Sequence, residues 1–234
     1  IVTDSGAQWV TIDTGSMATT VNAQAETVLT GAGVHHGKIY GTNGNFTSLC
    51  NIYQVDPDNG FAESMGSICI SDHAFHDVTT APAETVTLTD YNGEEVTLEG
   101  FGFPVLITHS QYLAFLTDYA QGNLRGFRLD DTKGDLGALA YVGDGAYEDW
   151  YGDQFPGKVF YGLGADGTMY QFLIYVSYDR SAQEVAYSLV STVLGTIGMT
   201  FEDLTAMTMT YVHDGSDAGL VIGYNHDDGA ALYY

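Results

Sequence analysis

Short runs of apolar and aromatic residues recur along the chain, each closed by a cluster of Asp, Asn and Gly. Asn51-Ile52-Tyr53-Gln54-Val55 and Arg125-Gly126-Phe127-Arg128-Leu129 are two such runs, and each reads as a strand leading into a turn. From Val86 to Leu98 apolar and polar residues alternate around Asn92-Gly93, which is a hairpin signal because Asn-Gly suits the turn that matches strand twist. The preceding Thr79-Thr80-Ala81-Pro82-Ala83 reads as a linker. Helices are disfavoured, since Gly interrupts the chain every few residues and strong helix formers are scarce. The best helical stretch, Ser181 to Val193, is rich in β-branched residues and is expected to form a strand.

The runs belong to a divergent repeat with three anchors in constant order. The first is an aromatic strand start: Lys38-Ile39-Tyr40-Gly41, Tyr112-Leu113-Ala114-Phe115, Val159-Phe160-Tyr161-Gly162 and Val221-Ile222-Gly223-Tyr224. The second is an apolar-Asp pair at a turn: Ile12-Asp13, Val55-Asp56, Leu129-Asp130 and, more weakly, Tyr178-Asp179. The third is an apolar residue before Gly: Met65-Gly66, Val142-Gly143 and Leu194-Gly195. These anchors divide one domain, residues 1–234, into units near 1–28, 29–71, 72–145, 146–197 and 198–234. The hairpin at 86–98 is either inserted between two units or enlarges the start of the third.

A repeat of several strands every 40 to 50 residues or so is the signature of a propeller blade. The pattern resembles divergent bacterial β-propellers, the YVTN/quinoprotein-like repeats of large clostridial-type cell-surface proteins, over roughly residues 7–234. That resemblance implies an all-β, β-propeller-like fold of about four to five blades of short antiparallel strands. No tryptophan-docking signature accompanies it, and Trp9 and Trp150 fall at unmatched positions, so no catalytic residue carries over. Both ends fall inside repeats, and the chain starts Ile1-Val2-Thr3 without Met. Either the two ends complete one ring between them or the chain is an excerpt of a larger surface polypeptide. The excerpt is the expectation, with a leader or an upstream region removed.

Composition narrows the partners. The 234 residues are 45% hydrophobic and 15% charged, a globular balance. Asp and Glu number 30 against 6 Lys and Arg, for a net charge of −24. Nucleic acid and anionic membranes need a basic footprint and are excluded as partners. No apolar stretch is long enough for a membrane span. With 29 Gly and 17 Tyr, the chain reads as extracellular or cell-surface.

The sharpest catalytic motif is Val10-Thr11-Ile12-Asp13-Thr14-Gly15-Ser16, similar to the active-site loop of aspartic proteases. There two carboxylates share a proton, one acting as acid and one as base. Asp4-Ser5-Gly6 is too near to supply the second loop, and no later copy exists. The competing reading makes Asp13 one more repeat turn, equivalent to Asp56 and Asp130. Asp72-His73-Ala74-Phe75-His76-Asp77 and His35-His36 lack the spacing of a complete zinc site and read as loop residues. The oxygen-rich turns at Asp56–Gly60, Asp214–Asp217 and Asn225–Gly229 depart from the calcium-loop pattern, leaving at most an incidental calcium and no required cofactor. Cys50 and Cys69 flank a hairpin centred near Asp58, so they are candidates for a cross-strand disulfide or for two small buried apolar residues. Tyr147, Trp150 and Tyr151 lie in an acidic, Gly-containing stretch with Phe155, and aromatic faces beside carboxylates suit sugar or peptide contact. The expected function is a non-catalytic scaffold or recognition module for a protein or carbohydrate ligand. The alternative is an aspartic-protease-like hydrolase using Asp13.

Overall fold

The computed structural model describes residues 2–3, 6–13, 15–24, 31–35, 38–42, 51–56, 58–67, 77–90, 92–109, 112–118, 123–129, 135–179, 181–202, 207–214, 217–226 and 229–233. All regular structure among them is β, in five antiparallel sheets that follow one another along the chain. The first sheet holds β1 (Val2–Thr3), β2 (Gly6–Ile12) and β3 (Thr19–Gln24). The second holds β4 (Gly31–His35), β5 (Lys38–Thr42), β6 (Asn51–Val55) and β7 (Ala62–Ser67). The third holds β8 (Val78–Thr89), β9 (Glu95–His109), β10 (Tyr112–Asp118) and β11 (Asn123–Arg128). The fourth holds β12 (Leu136–Glu148), β13 (Gln154–Gly164), β14 (Thr168–Asp179) and β15 (Glu184–Thr196). The fifth holds β16 (Met207–Asp214), β17 (Asp217–His226) and β18 (Gly229–Tyr233). Within every sheet each strand pairs with its neighbour in sequence. No helix of the described residues is long and apolar enough to cross a membrane.

Two of the repeat anchors have structural causes. Asp13, Asp56 and Asp179 each stand where one strand turns into the next, and each carboxylate accepts the backbone N–H two residues on. This self-closing turn is what Asp contributes at such positions. The apolar-Gly anchor is a β-bulge. Ile52 pairs with Gly66 but Tyr53 pairs with Ser64, leaving Met65 as the extra residue. Leu194 and Val142 are extra in the same way, against Met169–Tyr170 and against Phe160–Val159. Gly195 follows its bulge at φ 148°, a backbone state that Gly adopts without a Cβ clash.

The third unit is divided otherwise than its anchors indicate. β10 and β11 lie in the third sheet, whereas Val142-Gly143 lies in β12, which pairs with β13 of the fourth. The boundary drawn between residues 145 and 146 therefore falls inside β12. The linker expected at Thr79–Ala83 is part of β8 instead. Its pairing with β9 shifts register at Thr79/Ala81, Ala81/Glu84 and Glu84/Val86, and Pro82 sits exposed in this bulged stretch, where a missing N–H does little harm. The 86–98 hairpin forms with Val86 opposite Leu98 and Thr89 opposite Glu95. It is the outer part of β8–β9, so it enlarges the start of the third unit. Ser181–Val193 contributes to β15, the expected strand.

The fourth sheet is covered on both faces. On one side Ile174, Val176, Phe172 and Phe160 pack with Phe101, Phe103, Val86 and Leu88 of the third sheet. On the other, Ala138, Ala140, Leu163 and Met169 pack with Met207, Met209 and Ile222 of the fifth. Burying apolar side chains on both faces removes them from water at roughly 25 cal/mol per Å², which ties the three sheets together. The first strands of successive sheets also lie side by side: β4 against β8, β8 against β12, and β12 against β16.

Gly167, in the β13–β14 turn, has φ 77° and a Cβ there would overlap the Met199 carbonyl oxygen. Gly167→Ala is therefore expected to destabilise the chain by about 2 kcal/mol, read as a lowered urea midpoint.

Candidate functional site

The first hairpins of the third and fourth sheets end in turns of one design. In the β8–β9 turn, Asp90 Oδ1 accepts the N–H groups of Asn92 and Glu94, each at 2.8 Å. In the β12–β13 turn, Asp149 Oδ1 accepts those of Tyr151 at 2.8 Å and Asp153 at 3.0 Å. Asp90 is held below the usual carboxylate range, chiefly by the Glu94 N–H. Between these hairpins and the end of β14 opens a cleft of about 880 Å³. Thr87, Thr89 and Asp90 line one wall, and Asp149, Tyr151, Asp153, Gln154 and Phe155 line the other, with Ser177 and Tyr178 between them.

The three expected aromatics separate in this frame. Tyr151 lines the cleft and is 88% exposed. Trp150 stands at the hairpin tip, 97% exposed and outside the lining. Tyr147 does not line it either: its ring stacks on Tyr175 at 4.5 Å and on Phe155 at 6.3 Å, bracing the wall from the adjoining strands. The opposite wall, with Thr87 and Asp90, was missing from the sequence reading. Asp90 before Asn92-Gly93 was its only signal, since the same residues make an ordinary turn.

Asp13 lies in the exposed β2–β3 turn. Its Oδ1 accepts the N–H of Gly15 at 3.0 Å, the N–H of Ser16 at 2.7 Å and the Ser16 hydroxyl at 2.8 Å. Those bonds, the Ser16 N–H first, hold its carboxyl below the ordinary value. A protease dyad needs a second carboxylate bonded to the first. Asp13 closes a turn like those at Asp56 and Asp179, and among the described residues no carboxylate hydrogen-bonds it. Asp4, Cys50, Cys69, His36, His73, His76 and Asp130 lie outside the described residues. Among those described, no group of three or more His, Cys, Asp or Glu is placed to hold a metal ion.

Two polar clusters without a sequence signature join the sheets. Lys158 of β13 is fully buried, and its Nζ lies 2.6 Å from both Glu84 Oε1 of β8 and Asp144 Oδ1 of β12. The Phe101 ring lies 5.5 Å from that Nζ, and the Tyr141 hydroxyl donates to the same Asp144 oxygen at 2.7 Å. Burial would raise the Asp144 carboxyl, but hydrogen bonds from Lys158 and Tyr141 outweigh it and hold the group low. The Tyr141 phenol is pushed above its usual value by burial, then by its bond to Asp144 and the two carboxylate charges. The second cluster is Asp77, buried just before β8. Its Oδ1 accepts the Val78 N–H at 2.9 Å and the Thr208 hydroxyl at 3.4 Å. Its Oδ2 accepts the Leu139 N–H at 2.9 Å and the Met209 N–H at 3.4 Å. Burial pushes its carboxyl up to about 7 against the pull of those donors, Leu139 first.

No protein-family model matches the chain, and no curated protein matches it either.

Proposed function

We propose that the chain is a non-catalytic recognition and scaffold module of an exported bacterial surface protein, built as a β-propeller-like ring of blades. Two features support the ring: the sheets are consecutive meanders of which the third, fourth and fifth stack face to face, and the first strands of the second to fifth sheets are neighbours in chain order. Propeller blades have that arrangement around a central axis.

The cleft between the two long hairpins carries the recognition reading. It is roomy at about 880 Å³, it sits on turns whose carboxylates already fix the backbone, and it combines Tyr151, Phe155 and Tyr178 rings with Asp153 and Ser177. Rings that stack on sugar or peptide faces, beside polar groups that orient them, are the usual content of such sites. The ligand is a carbohydrate or protein segment.

Screening the chain on a glycan array and a peptide panel tests this. Tyr151→Ala is expected to weaken any cleft ligand by about tenfold or more. The unfolding free energy should stay within about 0.5 kcal/mol, because an exposed side chain holds little of the fold. A ligand that binds Tyr151→Ala as well as it binds the parent chain does not use the cleft. Absence of binding on both panels removes the recognition reading.

A further inference from the structure

The outer edge of the fourth sheet is the longest outer edge among the described strands. β15 is 13 residues long, and among the described strands it pairs with β14 alone. From Val185 to Thr196 it carries neither a charge nor a proline, like the much shorter edge strands β3 and β18, whereas edge strand β7 holds Glu63 and edge strand β11 holds Arg125 and Arg128. No residue of β15 is buried. Its one protective irregularity is the Leu194 bulge near the end, so ten residues from Glu184 to Val193 run in unbroken register with β14. Natural edges are normally blunted by Lys, Pro or inward charge, because unpaired N–H and C=O groups template another strand.

Beside the bulge is a groove of about 250 Å³, lined by Tyr161, Met169, Leu194, Ile197 and Leu220. Val193, Leu194 and Ile197 are exposed there. A strand laid along β15 would find main-chain partners along its length and an apolar seat for one side chain at the end, the two components of recognition by strand addition.

Charge selects the occupant. The chain carries −24, with Asp179 and Glu184 at the far end of the edge. A second copy brings the same charge, and like charge opposes association, whereas a basic segment is drawn in. An uncharged edge also lets main-chain pairing form without desolvating an ion. We propose that β15 is a docking edge for an extended, Lys- or Arg-bearing segment of a partner protein, which adds to the fourth sheet as a fifth strand and seats an apolar side chain beside Leu194.

The probe is an end-capped peptide of about ten residues alternating valine and lysine, with a glutamate counterpart and a copy N-methylated at alternate residues. Saturable binding of the lysine peptide is expected, about tenfold or more weaker for the glutamate and N-methylated forms, and weaker as salt rises. Hydrogen exchange of the unmodified chain should slow across residues 185–195 when the lysine peptide is present. Leu194→Lys should weaken binding by about tenfold, while Val21→Lys, at an exposed valine of β3, and Tyr151→Ala should not. The inference is overturned if the lysine peptide does not bind, or if N-methylation leaves its affinity unchanged. It is equally overturned if exchange at β15 does not slow, or if sedimentation shows a dimer that Leu194→Lys dissolves, since a second copy then holds the edge.

Discussion

Replacing Glu84 by Gln and Asp144 by Asn together is expected to cost about 3–5 kcal/mol of stability. Replacing Lys158 by Met is expected to cost within about 1 kcal/mol. The asymmetry follows from where the three charges sit. Lys158 is fully buried, but the Glu84 and Asp144 side chains are 40% and 56% exposed. Without the lysine, both carboxylates hydrate. Without the carboxylates, an ammonium remains under the Phe101 ring with no compensating anion, and a ring face recovers only part of the lost solvation. Urea unfolding of the two variants at neutral pH measures the difference. A Lys158→Met variant less stable than the double variant would mean that the carboxylates, not the lysine, bear the cost of being buried.

Asp77→Ala is expected to lose a similar amount, about 3–5 kcal/mol, because the Val78, Leu139 and Met209 N–H groups lose their acceptor in a buried place. Asp77→Asn isolates the charge. The folded carboxyl stands at about 7, raised from its ordinary value by burial. An acid raised in this way binds its proton more tightly folded than unfolded, so its contribution is fully present below the unfolded value and is lost as pH rises through about 7. The parent chain should therefore melt lower at pH near 8 than near 5, and Asp77→Asn should flatten that difference. Between those values Asp13, Asp90 and Asp179, all held low, stay ionised and add no slope. Equal slopes in the parent and the Asn variant would show that Asp77 is not the titrating group.

Strand type and turn chemistry were legible because both are local. Asn92-Gly93 names its hairpin, and the apolar-Asp pairs at Asp13, Asp56 and Asp179 name turns, since backbone preference and short side-chain bonds decide them within a few residues. Sheet membership was not local. Val142-Gly143 fits the bulge anchor, yet β12 pairs forward with β13 because Ala138–Tyr141 meets Phe160–Leu163 there, a choice made between distant segments. The candidate site was half visible: Tyr151 stands out by composition, while the facing wall at Thr87 and Asp90 comes from another sheet. Lys158 and Asp77 left no trace in sequence, since one Lys after Pro156-Gly157 and one Asp after a His look like surface positions. Only burial between sheets gives them their roles.

The strictly sequential pairing within the sheets has a kinetic consequence. Each sheet closes only short loops as it forms, so a growing chain can complete one sheet before the next is made. The Asp77 contacts span 62 residues to Leu139 and 132 to Met209, and they become available only when the fourth and fifth sheets exist. The central carboxylate therefore closes late, as a clasp over parts already built, and its loss should hasten unfolding far more than it slows folding.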